Sequence, residues 1–337
     1  MNRTFVALCG AVSSLAIAAA ADWPQWRGPA RDGVSAETEL LEQWPAGGPS
    51  LLWKTNGLGQ GYSSVAVSGG RVFSQGQRGR RQSVIALDEE TGAILWEAPL
   101  GGAYHHGRGN GPRGTPTVNQ GNVYALGVEG SLISVEAATG KRLWYTNLLN
   151  RFGGRNISWG ISESPLVDGN RVIVNAGGSG ASVVALDKKN GNLIWKSQSD
   201  EAGYSSAVAT RAGGVSHYIV LTGEAAVGLR PDNGTLLWRY ERVSNRTANV
   251  ATPIVRGDYV FVSSDYGTGG ALLELTGDRG GLEAREVYFN RDMRNHYSSS
   301  VLVDDHLYGY SSRILTSMNF KTGEVAWRDR SVGKGQI

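Results

Sequence analysis

Cysteine is almost absent from this chain of 337 residues, and its single copy, Cys9, lies near the amino terminus. Residues 1–21 begin with a positive charge at Arg3, continue through apolar and small residues, and end in four alanines before Asp22. This order is typical of a bacterial secretory signal peptide that is cleaved just before Asp22. We therefore predict an exported protein, periplasmic or secreted. Its mature chain has no disulfide, no thiolate metal ligand and no cysteine nucleophile.

Charge is also scarce. Charged residues make up 19% of the chain, the formal net charge is +3 at pH 7, and no run of lysine or arginine exceeds two residues. Proteins that bind nucleic acid through a basic surface carry a much stronger positive balance. After residue 21, no apolar run approaches the roughly 20 residues of a membrane-spanning helix. We predict no nucleic-acid partner, no membrane span after signal removal, and a monomer.

Glycine, by contrast, is abundant at 48 residues, and it belongs to a repeated phrase of threonine or asparagine, glycine, three residues and tryptophan. Full copies end at Trp96, Trp144, Trp195, Trp238 and Trp327, and Trp53 fits the series without the preceding turn. Successive tryptophans stand 43, 48, 51, 43 and 89 residues apart, the last step being two units. A period of about 40 to 50 residues indicates an array of supersecondary units.

Each unit contains short alternating apolar runs separated by tight-turn pairs. In the second unit, the runs at 117–118, 123–126 and 132–136 precede Thr139-Gly140 and a fourth run that ends at Trp144. Such alternation predicts strands, and glycine-containing pairs predict hairpin turns. Four antiparallel strands repeated at this period predict a blade. The fold is therefore predicted to be all-β, a β-propeller of four-stranded antiparallel blades.

Six blade units are visible, and the fifth, through Thr252 to Asn290, has lost its tryptophan and closes at Gly280–Glu283. Trp53 has no inner strands of its own, and only ten residues follow Trp327. We therefore expect a chain truncated at its carboxyl terminus and seven or eight blades in the full-length protein. The predicted domains are a signal peptide at 1–21, an irregular extension at 22–50 and the propeller at 51–337. The outer-strand tryptophans are expected to pack on the neighbouring blade; they are Trp53, Trp96, Trp144, Trp195, Trp238 and Trp327.

The units resemble the pyrroloquinoline-quinone-like (PQQ-like) β-propeller repeat, whose strands end in Ala-x-Asp-x-x-Thr-Gly-x-x-x-Trp. Residues 86–96 carry this pattern, residues 185–195 carry it with asparagine for threonine, and 23–29 is similar to the start of exported bacterial members. The resemblance covers residues 22 to 332. One branch of this group comprises quinoprotein dehydrogenases, with PQQ, calcium, a catalytic aspartate and an adjacent-cysteine disulfide. Another includes the propeller subunit of the outer-membrane protein assembly machine, which binds partner proteins and performs no chemistry.

The mature chain has no cysteine for that disulfide, and no aspartate or calcium ligand carries over by motif. It also departs from the second branch, because Leu8 precedes Cys9 where a lipoprotein signal requires a small residue. We predict a non-catalytic scaffold, without a cofactor, that binds a partner protein or a small polar ligand on its axial face. The alternatives are a quinoprotein dehydrogenase that uses PQQ with calcium, and a carbohydrate-binding or carbohydrate-acting periplasmic propeller.

Propeller sites lie where the loops that enter the inner strands converge on the axis, and here these loops carry arginine, histidine, asparagine and aromatic residues. This mixture suits an anionic or sugar-like ligand; the alternative is that these are solvated loops whose arginines bind exposed carbonyls. Adjacent residues on a strand point to opposite sides, so we predict no metal at His105 and His106. The axial candidates are Tyr104, His105, His106, Arg108, Arg113, Arg155, Asn156, Trp159, Arg246, Asn249, Arg294, Asn295 and His296.

Overall fold

A computed structural model describes residues 21–278 and 281–337, and these residues form six four-stranded antiparallel sheets. In every sheet the strands follow chain order, and the first strands of blades 1 to 4 contact one another in succession. This arrangement confirms the predicted all-β propeller. Residues 1–20 of the predicted signal peptide, and Gly280 of the predicted fifth-blade turn, lie outside the described residues.

The first three blades are β1 (Ala66–Ser68), β2 (Arg71–Arg78), β3 (Arg81–Asp88) and β4 (Ile94–Gly102); β5 (Thr117–Asn119), β6 (Asn122–Leu126), β7 (Ser131–Glu136) and β8 (Arg142–Asn147); and β9 (Leu166–Asp168), β10 (Arg171–Gly178), β11 (Ala181–Asp187) and β12 (Leu193–Ser197). The last three are β13 (Val208–Ala212), β14 (Val215–Leu221), β15 (Ala226–Leu229) and β16 (Leu236–Tyr240); β17 (Ile254–Arg256), β18 (Tyr259–Ser264), β19 (Gly269–Asp278) and β20 (Gly281–Asn290); and β21 (Val301–Val303), β22 (His306–Ser311), β23 (Ile314–Asn319) and β24 (Val325–Asp329).

One short helix, α1 (Leu148–Phe152), joins the second blade to the third. It begins at Asn147, whose side chain accepts a hydrogen bond from the Asn150 N–H, and it ends at Gly153 with a φ of 69°. Both are ordinary helix caps. None of the helical segments in the described residues has the length and apolar character needed to cross a bilayer.

The repeated tryptophan and glycine form the contact between successive blades. The Trp96 indole N–H donates to the Ala137 carbonyl of the second blade at 3.0 Å, and the ring covers Gly140. Gly140 has a φ of 71°, and a Cβ there would come within 2.6 Å of the ring. Only glycine therefore meets both requirements. The same contact recurs for Trp53 on Glu89 and Gly92, for Trp144 on Lys188 and Gly191, and for Trp195 on Pro231 and Gly234.

The contact between tryptophan and glycine differs in the fourth, fifth and sixth blades. Trp238 is buried, and its indole N–H has no acceptor within the described part of the chain. In the fifth blade, Tyr288 occupies the position of the missing tryptophan: it covers Gly323, and its hydroxyl donates to the Phe320 carbonyl at 2.9 Å. Trp327, in the sixth blade, is 44% exposed.

Residues 22–34, here called the axial plug, run across the centre of the ring of blades. Trp23 pairs with Val67 of the first blade, and the Pro24 carbonyl accepts from the Val118 N–H of the second. Further contacts from Trp26, Arg27 and Arg31 reach Thr252 of the fifth blade, Ser300 of the sixth, and Ser164 and Pro165 of the third. The plug thus binds five of the six blades near their inner strands.

The plug brings two arginines into the interior. Arg31 is 3% exposed and donates to the Ser164 and Pro165 carbonyls at 2.7 and 3.0 Å. Burial lowers its pKa to about 10, against the opposing charge of Glu163. Burial likewise lowers the pKa of Arg27 to about 10. Both side chains therefore remain cationic at neutral pH and are solvated by protein carbonyls in place of water.

Candidate functional site

A cavity of about 740 Å³ lies on the axis, bounded by Trp26 of the plug and by the residues that precede the inner strands. Its aromatic walls are formed by Trp26, Tyr62, Trp159, Tyr204, Tyr266 and Tyr297. Its hydroxyl groups come from Ser63, Ser64, Ser162, Ser164, Ser206, Thr252 and Ser299. Cationic or titratable side chains are Arg108, Arg113 and His296. We call this space the axial cavity.

Hydroxyl groups in the axial cavity link the second blade to the third, the third to the fourth and the fifth to the sixth. The Thr115 N–H donates to Ser164 Oγ, and the Ser164 N–H donates to Ser206 Oγ, each at 2.9 Å. The Thr252 N–H donates in the same way to Ser299 Oγ at 2.9 Å. These bonds join the polar triplets that begin each repeat. They fix the hydroxyl oxygens in place at the base of the cavity.

Arg113 is the half-buried cation of the wall. Its guanidinium lies over the rings of Tyr62 and Tyr104, at 5.4 and 5.2 Å from their centroids. It also donates to the Gly111 and Gly109 carbonyls at 2.6 and 3.0 Å. Burial lowers the pKa of this guanidinium, which nevertheless stays charged because arginine is not deprotonated near neutral pH. The aromatic pair and the carbonyls hold the charge beside the cavity.

His296 and Tyr266 form the opposite side of the wall. His296 Nε2 lies 3.0 Å from the Tyr266 hydroxyl, and its Nδ1 lies 2.8 Å from the Lys334 amine. Burial and the Lys334 charge lower the pKa of His296. Tyr266 has a φ of 56°, a left-handed conformation that is costly for a bulky residue. Such strain clusters at binding sites, where surrounding contacts hold it.

Four of the thirteen axial candidates line this cavity: Arg108, Arg113, Trp159 and His296. Tyr104 stands behind Arg113. Two further candidates, Asn249 and Asn295, are each 1% exposed and are absent from the described cavity lining. Asn249 Nδ2 donates to the Thr222 and Gly223 carbonyls, and Asn295 Nδ2 donates to the Tyr310 carbonyl. These amides hold loops together.

The remaining candidates are absent from the cavity lining in the described residues; they are His105, His106, Arg155, Asn156, Arg246 and Arg294. Two of them have local structural contacts. His106 Nδ1 accepts from the Arg108 N–H, and Asn156 Oδ1 accepts from the Ile161 N–H. The side chains of His106 and Asn156 thus hold their own loops in shape.

Sequence reasoning missed most of the aromatic wall. Tyr62, Tyr204 and Tyr297 each open a Tyr-Ser-Ser or equivalent triplet, so their shared register was a usable signal. Tyr266 lies in a turn within the fifth blade, and Trp26 reaches the axis from the plug, 226 residues before its partner Thr252. Neither Tyr266 nor Trp26 stands at a repeated position of the sequence, so the repeat gives no signal for them.

Residues 45–151 and 80–329 match the family model described as "Outer membrane protein assembly factor BamB". The chain belongs to the BamB family of PQQ-like propellers. It is 27% identical over 237 residues to the BamB of Yersinia pestis, covering 69% of this chain and 56% of the relative. It is 24% identical over 286 residues to the BamB of Shewanella oneidensis, covering 82% and 65% respectively. The chain therefore spans little more than half to about two thirds of the length of these relatives.

The crystal structure of BamB from Moraxella catarrhalis has the same fold, with a TM-score of 0.57 at 16% identity. The match covers 79% of this chain and 75% of that structure. At this identity the likeness concerns the arrangement of blades alone. The family thus accounts for the scaffold, and the role of the axial cavity depends on the chemistry of its own residues.

Calcium with PQQ does not fit this cavity. Calcium takes six to eight oxygen ligands, among which carboxylates dominate. In the described ranges, no aspartate or glutamate lines the axial cavity, and no cluster of three or more histidine, cysteine or acidic residues is positioned to hold a metal. Two cationic side chains stand in the lining instead, Arg113 held by aromatic rings and carbonyls and Arg108 exposed to solvent. The lining favours a ligand that brings its own negative charge or its own acceptors.

Proposed function

We propose that this chain is an exported, periplasmic, non-catalytic propeller that binds a partner protein through its axial cavity. In this proposal residues 1–21 are a cleaved signal, 22–50 an irregular extension that includes the axial plug, and 51–337 the propeller. The observation that carries it is the cavity itself, about 740 Å³ with six aromatic side chains in its walls. This volume lies within the range of roughly 300 to 1,000 Å³ that is usual for binding pockets.

Family membership supports a binding role, because relatives at 24–27% identity are named as assembly factors. The lining also supports binding more than chemistry. General acid–base catalysis uses a positioned carboxylate, histidine or similar group with a suitable pKa. The described lining contains no carboxylate and one histidine, His296, whose two ring nitrogens have partners in Tyr266 and Lys334.

A photoreactive phenylalanine analogue in place of Tyr204 tests the proposal in the periplasm of the source bacterium. Tyr204 lines the axial cavity, whereas Tyr145 is 50% exposed on the outer strand of the second blade and serves as the matched control. We expect a discrete protein adduct after irradiation from position 204 and none of the same mass from position 145. Equal adducts from both positions, or none from 204, would contradict the proposal.

A second experiment mixes the purified protein with PQQ and calcium. Binding is measured by the absorbance of bound quinone, and turnover by dye reduction with alcohols or sugars. We expect no turnover, because the lining offers calcium no carboxylate. Clear turnover would replace the binding role with a dehydrogenase activity.

A further inference from the structure

The base of the axial cavity presents hydrogen-bond donors. Ser164, Ser206 and Ser299 each accept a backbone N–H through Oγ, and Thr252 accepts the Trp26 indole N–H at 3.0 Å. A hydroxyl that already accepts still has its own O–H to donate. For these four, no acceptor is found anywhere in residues 21–278 and 281–337, although each is at most 5% exposed and lines the cavity. Their protons are therefore available to a ligand.

The charged side chains in and beside the walls are cationic, so they favour the same kind of ligand as the hydroxyl donors, one that carries acceptors. Arg113 is held beside the cavity by two aromatic rings and two carbonyls, and Arg108 lies exposed at its rim. Lys334 stands next to His296. Asp265, a nearby carboxylate behind Tyr266, is 7% exposed and does not line the space. The described lining is thus rich in donors and cations, and it contains no carboxylate acceptor.

From this imbalance we propose that the axial cavity recognises an acidic peptide segment, whose carboxylates meet Arg113 and the four hydroxyl donors. This inference rests on the proposed function and specifies the chemistry of its partner. Carboxylates bound by arginine and hydroxyl donors form charge-assisted hydrogen bonds, the stronger class. The tyrosine and tryptophan walls supply apolar contact for the intervening side chains.

A neutral sugar fits this lining less well than an acidic peptide. Sugar hydroxyls donate as well as accept, and charged carboxylates are their strongest acceptors. The described lining offers no carboxylate and only Gln336 as an amide. A peptide provides carbonyl and carboxylate acceptors along its length. The family relationship to named assembly factors also favours a protein occupant over a saccharide.

Calorimetric titration of the purified chain tests the inference with an octapeptide of alternating glutamate and tyrosine and its glutamine counterpart. We expect the glutamate peptide to bind at least about tenfold more tightly, with the difference shrinking at high salt because charges are screened. Arg113→Gln should weaken the glutamate peptide about tenfold, and Arg108→Gln, at an exposed position, several-fold. Arg256→Gln removes the same charge at an exposed pair with Asp305 and should change nothing.

Several outcomes would overturn the inference. Equal affinity for the two peptides, or no binding of either, shows that acidity is not recognised. Displacement of the glutamate peptide by glutarate or inorganic phosphate at equal charge shows that the occupant is a small anion. The crosslinking experiment separates the two proposals: an adduct at position 204 without preference for glutamate preserves the partner role alone. A preference for the glutamate peptide without an adduct at position 204 supports recognition of acidic peptides and contradicts the partner-protein role.

Discussion

Glu163 is a carboxyl group buried in the interior, close to Arg31 of the axial plug. It is 1% exposed, its Oε1 accepts the Asn175 N–H at 2.5 Å, and its Oε2 has no partner among the described atoms. Burial raises the pKa of this carboxyl to about 8, although the Arg31 charge acts in the opposite direction. Desolvation of the carboxylate therefore outweighs the attraction of the nearby guanidinium.

This carboxyl gives a prediction about stability and pH. Between its ordinary pKa of 4.5 and about 8, the folded state holds more protons than the unfolded state, so stability falls as pH rises through that window. Glu163→Gln should flatten the dependence and stabilise the protein at pH 8.5, by an amount of the order of 1–3 kcal/mol. Urea midpoints at pH 5.5 and 8.5 measure it, with exposed Glu90→Gln as control. An unchanged pH profile in Glu163→Gln would refute the assignment.

His217 acts in the opposite direction in a lower pH range. It is 1% exposed, and burial lowers the pKa of its ring. The unfolded state therefore binds more protons below about 6.5, and stability is lost as pH falls through and below that value. Comparison of each variant with the wild type at the same pH removes this contribution from the Glu163 measurement.

At the scale of the blade, the contact between neighbouring blades depends on a tryptophan ring in one blade and a glycine, which has no side chain, in the next. Trp144 is 8% exposed, covers Gly191 and donates to the Lys188 carbonyl at 2.9 Å. Its ring also lies 6.1 Å from that of Tyr124, whose hydroxyl reaches the same carbonyl. Apolar area and a directed hydrogen bond thus act together at the interface between the second and third blades.

We expect Trp144→Ala to lower the free energy of unfolding by roughly 3–5 kcal/mol, since it leaves a cavity between two blades. Trp44→Ala provides the matched control, because that ring is 67% exposed and its loss should cost less than about 0.5 kcal/mol. Urea denaturation followed by tryptophan fluorescence and by circular dichroism measures both. Similar losses in the two variants would show that the interface contact contributes little.

The repeat made the blades predictable because strand alternation and glycine turns are local signals. In the second blade, the predicted runs agree with the observed strands β5, β6 and β7 to within one or two residues; they are 117–118, 123–126 and 132–136. The axial cavity was less predictable. Asn249 and Arg113 both belong to axial loops, and only packing decides that one binds backbone and the other faces the ligand space.

The whole molecule is held by contacts of very different range. Tryptophan rings, and Tyr288 in the fifth blade, contact the next blade along the chain, whereas the axial plug joins blades 1, 2, 3, 5 and 6 at once. The axial plug is not part of the sequence repeat, and its hydrogen-bond partners lie up to 273 residues away along the chain. Its two buried arginines satisfy carbonyls of the third and sixth blades that would otherwise lack these donors.

Hydrogen exchange should distinguish the two kinds of contact. In Arg27→Ala/Arg31→Ala, we expect faster exchange along the inner strands of all five blades that the plug touches, because buried carbonyls lose their donors. In Trp144→Ala, faster exchange should be confined to the second and third blades. Exchange that rises only at Ser164 and Ser300 in the double variant would show that the plug acts locally.

The plug also sets an order of events during maturation. Arg27 needs the Ser300 carbonyl, and Gly33 packs against Val301, so its native contacts are complete only after the sixth blade exists. Residues 22–34 nevertheless precede every blade in the chain. Residues 22–34 are thus synthesised before the six blades of the described structure, yet they are among the last segments to reach their native position.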